Sequence, residues 1–242
     1  MHGLILAGGE GSRLAKAGVA TPKPLIPVGG TPQVVRLLRT LARLGCESVT
    51  CLLREGIPAM LLEAEAAWVK IPYHVQFCRT PSSLHTLVEG LRALPPGPVF
   101  CSMVDTVMPW GDWQRAYASA TAALGAGADA VLVVTPYVDD ERPLHVRRDA
   151  SGRAVGIGDG PADPPCVTGG VYAFGPSARA VAEEAVASGL ERMRAFLALL
   201  VGRGAAVGTV EIPRIIDLDD LRDLAAANAW QDSCEVGGST GP

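Results

Sequence analysis

Residues 4–14 read LILAGGEGSRL, and residues 22–30 read PKPLIPVGG. An apolar run thus gives way to closely spaced glycines and an arginine, and soon afterwards a lysine stands between two prolines. Gly8, Gly9 and Gly11 let the backbone bend and come close to a ligand, with N–H groups free to face phosphate oxygens. Arg13 adds a guanidinium fork, and Lys23, held between Pro22 and Pro24, brings a second cation at low conformational cost. The chemistry these residues suit is the binding of a polyphosphate. Two common ways of doing so do not fit. A dinucleotide fingerprint needs a third glycine where Leu14 stands, and a Walker loop needs Gly-Lys-Ser/Thr where the chain continues into Arg13 and Leu14.

Something must hold that loop in place. With 242 residues and 48% hydrophobic content the chain can bury a full core, and one large α/β domain fits the length. The net charge of −4 and a sequence pI near 5.6 give no overall basic field, which argues against a nucleic-acid partner. The six cysteines show no metal-ligand spacing and mostly sit in apolar runs, a pattern that suggests a reducing cytoplasm and no structural zinc. No apolar run approaches the length of a membrane span and no signal peptide is evident, so a soluble, cytoplasmic protein is expected.

The apolar periodicity alternates between strand and helix. Strands are expected at 3–7, 48–54, 73–77, 98–105, 128–136, 167–175 and 206–213, and helices near 34–44, 58–68, 83–94, 112–124, 177–188, 190–202 and 219–229. Such alternation implies right-handed crossovers and a mostly parallel sheet covered on both faces. Residues 137–166 break the pattern with polar, Gly- and Pro-rich sequence and short strand-like pieces (HVRR, RAVGIG), as a small antiparallel insertion would. The expected division is a domain over 1–230 containing that insertion, then a disordered tail over 231–242.

LAGGEGSRL followed by PKPLIPVGGTP closely resembles the signature of a nucleotidyltransferase family. Its members include sugar-1-phosphate nucleotidylyltransferases (NDP-sugar pyrophosphorylases), bacterial-type choline-phosphate cytidylyltransferases and MobA-like NTP transferase domains. The resemblance implies a single Rossmann-like, three-layer α/β domain of the GT-A-like kind, with a mostly parallel mixed sheet and the insertion on the acceptor side. It also implies that the backbone of Leu6, Ala7, Gly8 and Gly9 holds base and ribose and that Gly11, Ser12 and Arg13 hold the triphosphate, Arg13 meeting the leaving pyrophosphate. Lys23 would meet the α-phosphate. The chain has three lysines against eighteen arginines, so a lysine at this place is not background usage.

Catalysis in that family is positioning plus neutralisation of charge by cations and Mg²⁺, and Mg²⁺ needs hard oxygen ligands. The resemblance places one aspartate at the end of the central strand and a second near the C-terminus. SMVDTVM supplies Asp105, with Val104 in place of the usual glycine, and RIIDLDDLRDL supplies Asp217 with Asp219 as the reserve. Asp220 and Asp223 read as capping or surface groups. Ser82 and Ser83, in TPSSLHTLVEGL, are candidates for holding the base, with helix capping by Ser82 an equal alternative. His85 is given no role.

On the acceptor side GGVYAF offers Gly170 and Tyr172 as substrate contacts. The Glu-Lys-Pro element of sugar-specific relatives is missing, so the acceptor phosphate would fall to Arg147, Arg148 or Arg153, or to metal alone. Trp110 and Trp113 are the aromatic pair that a quaternary ammonium group would need, though packing accounts for both. The expected function is Mg²⁺-dependent transfer of a nucleotidyl group from a nucleoside triphosphate to a sugar 1-phosphate. The alternatives are cytidylyl transfer to phosphocholine or another small phosphate or phosphonate, and a nucleotide-binding domain without turnover. Homo-oligomerisation is left open.

Overall fold

Every side chain of the first strand, β1 (His2–Ala7), is buried, as happens when a sheet is covered on both faces. A computed structural model of the chain describes residues 1–9, 19, 21–58, 60–63, 69–138, 142–160 and 162–235. Leu4 and Leu6 of β1 join one core with Leu52, Leu87, Phe174 and Phe196, while Ile5 and Ala7 join another with Leu38, Cys51, Phe100 and Trp113. Alternate residues thus feed opposite layers, which is why the strands read as continuous apolar runs. The chain is a single α/β domain.

After β1 come a 3₁₀ turn (Lys23–Leu25), a hairpin of β2 (Pro27–Val28) and β3 (Thr31–Pro32), and α1 (Gln33–Arg43). Next are β4 (Val49–Arg54), α2 (Met60–Glu63), β5 (Tyr73–Cys78), α3 (Ser83–Ala93), β6 (Val99–Met103), β7 (Thr106–Val107), α4 (Trp110–Gly125) and β8 (Ala130–Thr135). The remainder is β9 (His145–Arg148), β10 (Ala154–Gly158), β11 (Val167–Phe174), α5 (Pro176–Ala187), α6 (Met193–Gly202), β12 (Val207–Glu211), β13 (Ile216–Asp217) and α7 (Leu221–Glu235). The central sheet runs β10-β9-β11-β6-β1-β4-β5, with β8 also pairing β11 and β12 pairing β8. Strands β6, β1, β4 and β5 pair in parallel, as do β8 and β12, and β11 runs against both of its long neighbours.

The expected insertion contains the antiparallel β9–β10 hairpin, joined to the start of β11 through the His145–Val167 pair. The last helix runs to Glu235, past the expected boundary at 230. Residues 231–235, QDSCE, hold no glycine or proline, and the first glycines after them are Gly237 and Gly238, so nothing in the local sequence stops the helix earlier. Among the described residues no helix is long and apolar enough to cross a membrane.

Helix α3 lies close on the sheet because Gly90 has no side chain: a Cβ there would stand 2.6 Å from Leu4 Cδ1. Gly90→Ala is expected to cost about 1–3 kcal/mol of stability through overpacking, despite alanine's better helix propensity. Urea denaturation of the two proteins checks this, and equal midpoints would contradict it.

Candidate active site

One pair of strands too short to show periodicity builds the centre of the site. The two-residue strand β7 follows directly on Asp105, and its partner β13 ends on Asp217, paired antiparallel with Asp217 opposite Thr106. Leu218 N donates to the carbonyl of Asp105 at 3.1 Å, closing the same ladder. Beneath it Val28, Val107, Ile216, Leu218 and Ala227 form a small separate core. Helix α7 closes over that core, and Asn228 accepts from Gly29 N at 2.8 Å. The carboxylates are therefore carried by a compact unit at the C-terminal edge of the parallel strands, where open α/β sheets bind ligands.

Lys23 reaches into that unit from the 3₁₀ turn. Its Nζ donates to Asp105 Oδ2 at 2.7 Å and to Asp219 Oδ1 at 2.8 Å, and lies 3.6 Å from Asp217 Oδ1. Burial alone would lower the lysine's pKa, but the three surrounding carboxylates outweigh it and hold the ammonium charged well beyond the usual range. Asp105 shows the reciprocal balance: burial raises its pKa, and the Lys23 charge with its hydrogen bond brings it below the usual carboxylate range. Asp217 goes the other way, pushed up by desolvation and by the neighbouring Asp105 charge. Half of its side chain is exposed, so the like charge acts beside only a partial loss of water. One ammonium does not satisfy three carboxylates.

That shortfall defines what the centre suits. One oxygen from each of Asp105, Asp217 and Asp219 can lie within 4.8 Å of the others, a cluster of hard donors with an excess of negative charge, which fits a divalent ion such as Mg²⁺. The strained member yields a prediction. Because the folded-state pKa of Asp217 lies above its unfolded value, its contribution to stability is present at acid pH and is lost as pH rises through the folded value. Asp217→Asn should therefore raise Tm at pH 7 in Mg²⁺-free buffer. Excess Mg²⁺ should reverse the order by binding the wild type more tightly. Thermal melts at pH 7 with EDTA and with Mg²⁺ check both halves.

The first strand brings Leu6, Ala7, Gly8 and Gly9 alongside. Leu6 accepts from Val104 N at 3.0 Å, which ties the strand end to the residue before Asp105. A Cβ on Gly8 would press on Thr86 Oγ1 and Cys78 Sγ at 3.1 and 3.3 Å, whereas one on Gly9 would meet nothing within 4 Å among the described residues. Gly11, Ser12 and Arg13 lie outside the described residues. Ser82 caps α3: its hydroxyl accepts from His85 N at 3.5 Å, lies 2.8 Å from His85 Nδ1 and donates to the Glu191 carbonyl. Ser83 Oγ accepts from Met193 N at 3.2 Å. Both serines thus tie α3 to the loop before α6. Asp223 Oδ2 accepts from the backbones of Asp219 and Asp220, and Asp220 Oδ1 from those of Arg222 and Asp223, a reciprocal cap on α7.

On the acceptor side Gly170 adopts φ +74°, and a Cβ there would lie 2.5 Å from Thr106 Oγ1, so the backbone bends tightly beside the residue after Asp105. Tyr172 is 4% exposed and stacks on Phe174 at 5.9 Å, a core position within β11. The register shift between Thr168 and Tyr172 moves the alternation of β11 out of step with the sequence. Of the three candidate arginines, Arg148 pairs with Glu211 at 2.7 Å, and the backbone of Arg153 forms a β-bridge with Gly208. Arg147 makes no hydrogen bond or ion pair among the described residues, and with Arg148, Asp163 and Val155 it lines a groove of about 520 Å³ on the insertion. Arg43 already covers the Trp110 ring at 4.2 Å, and Trp113 is buried edge-on to Phe100, so packing is the role of both tryptophans.

The profile of the MobA-like NTP transferase domain family matches residues 3–200. The chain is 29% identical to a glucose-1-phosphate thymidylyltransferase of Actinoplanes sp. over 85% of this chain and 72% of that protein. It is 33% identical to a CMP-5'-(3-aminopropyl)phosphonate synthase of Streptomyces rubellomurinus over 59% of this chain and 25% of that one. The structure of the inositol-1-phosphate CTP transferase from T. maritima superposes with a TM-score of 0.77 at 17% identity, covering 100% of this chain and 98% of that one, which shows a shared fold.

Proposed function

We propose, on the premise that this chain belongs to the MobA-like NTP transferase domain family and is a nucleotidyltransferase, that it moves a nucleotidyl group from a nucleoside triphosphate to a sugar 1-phosphate and releases pyrophosphate. The observation that carries this reading is the centre in which Lys23 meets Asp105, Asp217 and Asp219. An acceptor phosphate oxygen attacks the α-phosphorus in line. One P–O bond forms as the bond to the bridging oxygen of pyrophosphate breaks, and no covalent group on the protein takes part.

Asp105, Asp217 and Asp219 would hold Mg²⁺, which supplies neutralisation of the charge on the reacting phosphates. The rest is work of the chain. The end of β1 brings backbone N–H groups to the nucleotide, with Gly9 leaving room for close approach. Lys23, on its prolyl mount, exchanges carboxylate partners for an α-phosphate oxygen, and Arg13 takes the leaving pyrophosphate. Gly170 lets the acceptor lie against the backbone next to Thr106.

A second acceptor class, phosphonates with CTP, is favoured by one observation. In RAVGIGDGPADPP no lysine is present to meet a sugar phosphate, and Asp159 is taken up by Arg194. Pyrophosphate release should be measured with ATP, CTP, GTP and dTTP against glucose 1-phosphate, inositol 1-phosphate, phosphocholine and 3-aminopropylphosphonate. Release with a sugar or polyol 1-phosphate supports the first reading, and release with CTP and phosphonate alone supports the second. Nucleotide binding with no release in any combination contradicts both.

A further inference from the structure

Gln33 is a polar side chain with 0% exposure, and no nucleotide, acceptor or metal role calls for it. Its hydrogen bonds show what it does. Nε2 donates to the Thr106 carbonyl at 2.8 Å, and Oε1 accepts from Arg36 Nη1 at 2.7 Å. A carbonyl only accepts and a guanidinium only donates, so the amide has one workable orientation. The backbone N–H of Gln33 donates to the Ile26 carbonyl at 3.0 Å, three residues beyond Lys23. Thr106, held by this amide, donates its hydroxyl to the Gly169 carbonyl at 3.1 Å and stands opposite Asp217 in the β7–β13 ladder.

We propose that Gln33 is the positioning residue of the acidic centre. It ties together the segment bearing Lys23, the turn bearing Asp105, the strand bearing Asp217 and, through Thr106, the Gly169–Gly170 bend. It touches no reacting atom. Its effect is to hold three carboxylates at a spacing their mutual repulsion would otherwise widen. A buried amide with both ends satisfied is suited to this, because losing either bond leaves a buried polar group unpaired. The inference rests on the metal-centre reading for one of its two consequences and stands apart from it for the other.

Two variants and two readouts test it. Gln33→Met removes both side-chain bonds at similar volume. Gln33→Glu keeps an acceptor for Arg36 but sets a carboxylate oxygen against the Thr106 carbonyl. In proteins shown by circular dichroism to be folded, Mn²⁺ affinity, read from the EPR signal of free Mn²⁺ without nucleotide, should fall about tenfold or more in both variants. Acylation of Lys23 by acetic anhydride, followed by mass spectrometry, should quicken in both as the carboxylates spread from the ammonium. Wild-type Mn²⁺ affinity and wild-type Lys23 acylation in either folded variant would overturn the proposal, even with a lowered Tm, since a purely structural glutamine would change stability alone. Should the unaltered protein bind Mn²⁺ no better than Asp105→Asn, the metal-centre reading fails, and the Lys23 acylation rates still decide the role of Gln33.

Discussion

Asp105→Asn is expected to reduce pyrophosphate release by about 10²–10³-fold or more while leaving the fold intact, the scale seen when one preorganised group at a developing charge is removed. Asparagine keeps the shape of the side chain at the end of β6, and Lys23 retains its bond to Asp219 at 2.8 Å. What disappears is one of three negative charges facing the phosphates and a hard anionic donor for the ion. Binding of nucleotide without metal should change little, because the backbone at the end of β1 is untouched. Steady-state release assays beside isothermal titration with metal-free nucleotide separate the two effects. Near-normal turnover in a folded Asp105→Asn protein would remove this carboxylate from the mechanism.

Lys23→Met should lose both activity and stability. Turnover should fall by about 10²–10³-fold, since the cation meant for the α-phosphate is gone. Stability should fall by about 3–5 kcal/mol, as when one partner of a buried ion pair is deleted: only 11% of the Lys23 side chain and 16% of Asp105 are exposed. The loss has a pH signature. Without the ammonium, burial and the like charges of Asp217 and Asp219 leave Asp105 with its pKa raised above the unfolded value of about 3.9. Its stability contribution is then present in acid and lost as pH rises through the raised value. Melting temperatures of variant and wild type should converge toward pH 5, and Mg²⁺ should narrow the gap at pH 7 by supplying the missing charge. A pH-independent gap would contradict this account of the centre.

Much of this was legible in the residues. The long apolar runs, such as VTCLLR and AVLVVT, announce strands buried on both faces, and Gly45, at φ +89°, ends α1 where its pattern stops. The stretch from Leu4 to Leu14 and the prolyl lysine point to phosphate chemistry because glycine spacing and rare lysine are properties of sequence alone. The β7–β13 ladder was not legible, since two-residue strands carry no period and their pairing spans more than a hundred residues. Gln33 was hidden for a related reason: a lone glutamine at the start of an amphipathic helix looks like a surface residue until its partner, the Thr106 carbonyl, is brought to it by the fold.

If this centre directs nucleotidyl transfer, then with nucleoside triphosphates labelled at the α-phosphorus, an acceptor and Mg²⁺, label should appear in a nucleotidyl–acceptor product in step with unlabelled pyrophosphate, and EDTA or Asp105→Asn should abolish it. Label that remains in the triphosphate with every acceptor, or appears only as free nucleoside monophosphate, would contradict it.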